Sequence, residues 1–272
     1  MNRRGFRMTL LATFLLATTS SASAHDTWLL PARFEVAPGA DIELDFTSGM
    51  KFPEPESAVS PDRIAGSGLR VGGQRLPLQP RTPGKRALRL SATAPTPGVA
   101  VLWAASRPRT LSLTPDQVHH YLEEIGAPPA VEARWRRQQH FRESYAKLAK
   151  TYVKVGDAPD DRSWQEPVGL GLELLPLQDP TALRVGTELA VRVLRESKAV
   201  RNLTVSALPP GGGKPVATRT DRDGRVIFVL DRPGPWLVRA TLIEESSAPE
   251  TDWQSLFTTL SISVGKDGRG QQ

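Results

Sequence analysis

Ile42-Glu43-Leu44-Asp45-Phe46 alternates apolar and acidic residues over five positions. Side chains of an extended chain point to opposite faces in turn, so Ile42, Leu44 and Phe46 share one face and the two carboxylates share the other. This is a strand with one dry and one wet side. The turn Pro38-Gly39 separates it from Phe34-Glu35-Val36, a short strand of the same kind. Downstream, Leu69–Val71, Gly72-Gly73 and Arg75–Leu78 predict a hairpin. Ala87–Leu90 and Val99–Trp103 predict two more strands. Residues 25–110 therefore read as an N-terminal β sandwich.

The middle of the chain changes period. Thr114 is placed as an N-cap, Pro115 at the first helical position and Gln117 as the far corner of a capping box. Val118, Tyr121, Leu122 and Ile125 form the apolar face, and Gly126 ends the helix. A longer helix is expected from about Ala130 to Tyr152, on the spacing of Trp135, Phe141, Tyr145, Leu148 and Tyr152. Residues 111–154 thus read as a helical insert and 155–168 as a polar linker. A second β unit, 169–265, follows, with Leu189, Val191 and Val193 alternating and Asp221-Arg222-Asp223-Gly224 read as a hairpin turn.

The first 24 residues have the layout of an export signal. Arg3, Arg4 and Arg7 precede the apolar run Met8–Thr18, and Ala22-Ser23-Ala24 is a small-residue cleavage pattern. The run is shorter than the roughly 20 residues that span a bilayer, so a cleaved signal peptide and a soluble periplasmic protein are expected. Asn2-Arg3-Arg4-Gly5-Phe6 resembles a twin-arginine signal, although ordinary secretory export is the expected route. Beyond the leader, 32 basic residues face 29 acidic ones, a net +3 with no long basic run. Nucleic acid is not an expected partner. The sequence has no cysteine, which excludes disulfides and thiolate metal sites. Residues 266–272 are polar and read as a disordered tail.

Cleavage after Ala24 would make His25 the first residue. Its imidazole and the new α-amine belong to one residue and can close a chelate ring on a transition-metal ion; nickel, cobalt, copper and zinc accept such nitrogen donors. Asp26 adds an oxygen donor or orients the ring. His25 and Asp26 are therefore the candidate metal site. His119 and His120 are neighbours about 100° apart on the predicted helix, a solvated surface rather than a chelating pair. His140 falls on a polar face with Arg137, Ser144 and Lys147. Met50 is a soft donor suited to Cu(I), but a loop methionine reads as packing. Asp221 cannot begin an EF-hand loop, because the twelfth position holds Arg232 in place of Glu. No G-x-S-x-G elbow, phosphate-binding glycine loop or H-E-x-x-H helix occurs. A binding protein rather than an enzyme is expected, its six tryptophans serving as core anchors.

Several segments, in order along the chain, resemble an uncharacterised periplasmic family related to nickel-uptake substrate-specific (NikM-like) proteins. They are His25-Asp26-Thr27-Trp28-Leu29, Tyr121-Leu122-Glu123-Glu124, Arg142-Glu143-Ser144-Tyr145, Gly171-Leu172-Glu173-Leu174, Thr220–Arg225 and Gly234–Val238. The resemblance implies a mainly β protein of two immunoglobulin-like β-sandwich domains with a small helical insert between them. It also implies a role in transition-metal uptake or handling, with a membrane uptake system as partner. Some relatives carry further histidines where this chain has Gly49-Met50 and Thr241. Two other functions stand beside this one: a structural or adaptor module that binds a membrane partner without metal, and a copper enzyme built on an N-terminal histidine brace. Exported protein should begin at His25 by N-terminal sequencing and intact mass; a start elsewhere would remove the amine–imidazole chelate.

Overall fold

Among the described residues, three β sheets and two short α-helices make up the fold. The computed structural model describes residues 25–266 apart from Gln139 and the side chain of Thr82, so the expected leader 1–24 and the expected tail beyond Lys266 lie outside the described residues. One sheet runs Asp26–Pro31, Asp41–Gly49, Leu88–Thr93, Gln79–Pro83, with Ser57–Ala58 at its flank. A smaller sheet is built from Leu172–Pro176, Glu188–Arg195, Lys198–Ala199 and Arg225–Val229. The third sheet has ten strands. Its main path runs from Val216–Arg219 through Thr204–Leu208, Gly234–Glu245, Trp253–Val264, Arg142–Val155, Gly98–Ser106 and Ile64–Val71 to Gln74–Leu76.

The strand Gly98–Ser106 shows how these layers stack. Ala100, Leu102 and Ala104 are buried with Leu29, Ile42, Leu44, Phe46, Leu88 and Leu90 of the first sheet. Val99 and Val101 are buried on the opposite face, with Leu172, Leu174, Leu189, Val191 and Phe228 of the small sheet. The large sheet is therefore covered on both faces, and its inner strands read as nearly unbroken apolar runs, as a sheet dry on both sides requires. The molecule is mainly β and immunoglobulin-like, with two sandwiches that share one long sheet. The expected alternation at Ile42, Leu44 and Phe46 holds, as does the hairpin at Gly72-Gly73, where both glycines have positive φ.

The first helix, α1, spans Pro115–Glu124 with the expected capping box: Gln117 Oε1 accepts from Thr114 N at 3.0 Å. Gly126, at φ 63°, turns the chain out of it. The second, α2, covers only Pro129–Gln138. The two helices close a satellite core of Val118, Tyr121, Leu122, Val131 and Trp135 against Phe141, Ile243 and Trp253. Beneath them Tyr121 Oη lies 2.7 and 2.9 Å from the oxygens of Glu143, a buried carboxyl whose pKa burial pushes up.

The expected helix from Ala130 to Tyr152 is corrected here: from Arg142 to Val155 the chain is one long strand. The apolar spacing of Phe141, Tyr145, Leu148 and Tyr152 fits a helix, but the strand uses every position. Ala149 and Val153 enter the first core while Leu148 and Tyr152 enter the second. A strand buried on both faces has no one-sided period to read. The turn at Asp221 is tight, with Asp221 Oδ1 accepting from Asp223 N and Arg225 N at 2.8 Å each. It is not a hairpin, because the strands on its two sides belong to different sheets.

Residues 155–168 do not hang free between the halves. Trp164 is buried in the second core, and Asp161 Oδ2 accepts from Val99 N at 2.6 Å. Arg70, itself buried, donates to the carbonyls of Ser163, Glu166 and Pro167 at 2.8, 2.6 and 3.1 Å. Next to this clamp Lys150 Nζ meets Glu173 Oε1 at 2.7 Å, both side chains almost fully buried. Glu173 also accepts from Val168 N at 2.9 Å, Gly169 N at 3.2 Å and Leu170 N at 3.3 Å. Glu173→Leu should therefore cost about 3–5 kcal/mol, because it strands a buried ammonium and three N–H groups together. Lys150→Met should cost less, since those N–H groups still hold the carboxylate. Urea midpoints of the two variants check the order.

Candidate ligand-binding site at the head strand

The head strand Asp26–Pro31 pairs antiparallel with Asp41–Gly49, Asp26 opposite Gly49. Alternation sends Leu29 into the first core, and Thr27 to a cleft beside that core's rim. Asp26 and Trp28 face the other way. Trp28 is fully buried on Phe52, edge to face at 5.5 Å, and on Leu237, a contact worth about 0.5–1.5 kcal/mol beyond its burial. Side-chain hydroxyls serve the outer edge of this strand. Thr259 Oγ1 donates to Thr27 O at 2.6 Å and Ser261 Oγ donates to Leu29 O. An edge that would otherwise expose free carbonyls is thereby docked on the last strand, Trp253–Val264.

His25 stands at the start of this strand and is exposed. Its carbonyl accepts from Lys147 Nζ at 2.5 Å, while its ring has no partner among the described residues. The other histidines differ. His119 Nδ1 is 2.9 Å from Glu132 Oε1, and His140 Nδ1 is 2.9 Å from Asp252 Oδ2. His120 is exposed on α1. His140 follows α2 rather than lying within a long helix, which corrects the face assigned to it from the sequence.

Asp26 is not free. Its Oδ2 accepts from Arg239 Nη1. Burial pushes the carboxyl pKa up, and the Arg239 guanidinium opposes that shift. Asp26 and Arg239 form one wall of a cleft of about 180 Å³ that also includes Glu123, Glu124, Thr204 and Thr241. Thr241 lines the cleft of Asp26, and Gly49 faces Asp26 across the ladder. A Cβ on Gly49 would lie 2.9 Å from Glu56 and 3.0 Å from the Trp28 ring, so side-chain donors fit at exposed Met50 and not at Gly49. Among the described residues, no group of three or more His, Asp or Glu side chains is placed to hold a metal ion.

Arg239 and Lys147 escape sequence reading for different reasons. Arg239 interrupts the apolar run Trp236-Leu237-Val238, a signal that a buried carboxylate waits for it. Lys147 looks like part of a polar helix face, and only the strand geometry turns it toward His25. On the far side of the head strand, Lys147 joins Arg63 and Arg109 in a second cleft. Among the described residues no helix is long and apolar enough to cross a membrane.

Fold and site together define an immunoglobulin-like β-sandwich protein with an exposed histidine between two clefts of different charge. The chain belongs to the DUF4198 family, a domain of unknown function, whose model matches residues 22–244. No curated protein matches the sequence. Among solved structures it is similar to a DUF4785 family protein from Legionella pneumophila, at 11% identity over 77% of this chain and 51% of that one, with a TM-score of 0.23. It is also similar to SGBP-B of a Bacteroides ovatus mixed-linkage glucan utilization locus, at 13% identity over 76% and 46%, TM-score 0.22. A third similarity is to the D00-D0 domain of intimin, at 11% identity over 88% and 98%, TM-score 0.22. The chain spans about half the length of the first two. Likenesses this distant say nothing about ligand or activity.

Arg239→Ala should destabilise the protein by about 1–3 kcal/mol, because it leaves the half-buried Asp26 carboxylate without its partner. Adding Asp26→Asn should restore much of the loss in thermal unfolding, since the stranded charge is then gone.

Proposed function

We propose that this is an exported, non-enzymatic binding protein that takes a transition-metal ion (nickel, cobalt, copper or zinc) or a small complex of one at the head strand. It would hand that cargo to a membrane uptake system, the partner implied by the sequence's resemblance to a family related to NikM-like proteins. The observation that carries the reading is the His25 ring, exposed and unpartnered among the described residues while Lys147 holds its backbone in place. After cleavage at Ala24 the amine and imidazole of this residue would chelate one ion. Asp26, committed to Arg239, steadies the strand beneath the ligand instead of coordinating. Glu123 and Glu124 line the adjoining cleft and would draw cations toward it.

Two nitrogens leave most of a metal's coordination sphere open. No three-residue donor cluster completes it among the described residues, so water or the metal's own ligands would fill the rest. That favours a metal complex over a bare ion. A two-histidine copper brace lacks a second imidazole here, since His119, His120 and His140 line neither cleft.

Calorimetric titration of mature protein with Ni²⁺, Co²⁺, Cu²⁺ and Zn²⁺ tests the reading. At least one ion should bind, tenfold or more tightly than to His25→Ala or to protein with an acetylated amino terminus. Affinity should fall as pH drops, because the metal must displace protons from both nitrogens. Indistinguishable isotherms for wild type and His25→Ala would sink the proposal.

A further inference from the structure

The cleft on the Lys147 side of the head strand differs from its neighbour in charge. It encloses about 250 Å³ and is lined by Arg63, Arg109 and Lys147 together with Thr27, Ser106 and Tyr145, with no Asp or Glu in its wall. Three cations converge on it from different parts of the chain: Lys147 from the long strand Arg142–Val155, Arg109 from the short strand Arg109–Ser112, and Arg63 from the 3₁₀ turn Pro61–Arg63.

Their donors are underused. Arg63 gives Nη2 to Arg107 O at 3.1 Å, but its buried Nε has no partner. The Arg109 side chain makes no hydrogen bond or ion pair among the described residues. Lys147 spends one N–H on His25 O and keeps two. Ser106 Oγ accepts from Lys147 N at 2.9 Å and retains its own proton to donate. The nearest carboxylates are already engaged. Asp62, outside the wall, accepts the Ser60 hydroxyl and faces Arg63 and Arg109, and Asp26 is held by Arg239. Unspent N–H and O–H donors beside three cations, in a wall without a carboxylate, suit a ligand rich in anionic oxygen.

We propose that this cleft binds a small, multiply charged oxygen anion, either a free phosphate-like oxyanion or a compact polycarboxylate, through Arg63, Arg109 and Lys147. The site shares Lys147 with the support of His25 but uses neither the His25 ring nor its amine. Nothing in it requires metal or a free amino terminus.

The test uses the mature chain, free of metal, in a low-salt chloride buffer, titrated calorimetrically with phosphate, sulfate and citrate in turn. Binding of phosphate and sulfate identifies an oxyanion site, and binding of citrate alone identifies a polycarboxylate site. Either supports the proposal if Arg109→Glu weakens it at least tenfold and added salt weakens it as well. The Arg109 side chain is exposed and makes no hydrogen bond or ion pair among the described residues, so this variant should keep its unliganded melting temperature. Lys147→Met should weaken binding too, and serves as a second variant on the cleft floor. The proposal is overturned if none of the three anions binds in the millimolar range or tighter. Equal binding by wild type, Arg109→Glu and Lys147→Met would also overturn it.

Discussion

The parallel ladder between Arg142–Val155 and Trp253–Val264, nine residue pairs from Glu143↔Trp253 to Thr151↔Ser261, is the constraint on which the rest of the structure depends. It joins segments about a hundred positions apart and makes one sheet out of what would otherwise be two. Parallel strands need a long crossover between them, and here the entire C-terminal sandwich serves as that crossover. Each strand of the pair then contributes to more than one core. This is why the buried polar groups gather here: Lys150 with Glu173, and Thr151 Oγ1 with Ser261 O at 2.9 Å. Arg70 and Trp164 tie residues 163–168 to the same region. The junction between the two sandwiches is therefore packed and hydrogen-bonded along its length.

The head strand inherits its position from that ladder. Thr259 and Ser261, on the strand that pairs with Arg142–Val155, are the residues whose hydroxyls hold the carbonyls of Thr27 and Leu29. Lys147, four residues before Thr151 on the partner strand, reaches His25. The exposed histidine thus starts a strand whose carbonyls are hydrogen-bonded by Lys147, Thr259 and Ser261. The same arrangement separates charge. Alternation along the head strand turns Asp26 to the side of Arg239, Glu123 and Glu124, and Thr27 to the side of Arg63, Arg109 and Lys147.

Much of this is legible in the residues themselves. Strands with one wet face, such as Asp41–Gly49, announce themselves by alternation, and α1 does so through Thr114, Pro115 and Gln117. His25 stands out because a cleavage pattern precedes it. The long central strand does not stand out. Its apolar residues face two cores at once, and the remaining spacing of Phe141, Tyr145, Leu148 and Tyr152 imitates a helix. Misreading that strand also hides Lys147, whose direction depends on whether its backbone is extended or coiled. Arg63 and Arg109 are ordinary surface arginines until the fold sets them around one space.

The sequence alone determined the fold class and the capped helix, because those features are written in local patterns of burial and capping. The tertiary structure alone decided that the two sandwiches share a sheet, that Asp26 belongs to Arg239, and that three cations surround one cleft. Those outcomes are contacts between residues from about 40 to more than 200 positions apart. Local periodicity carries no information about which distant segment will supply the other half of a ladder or the counter-charge to a buried group.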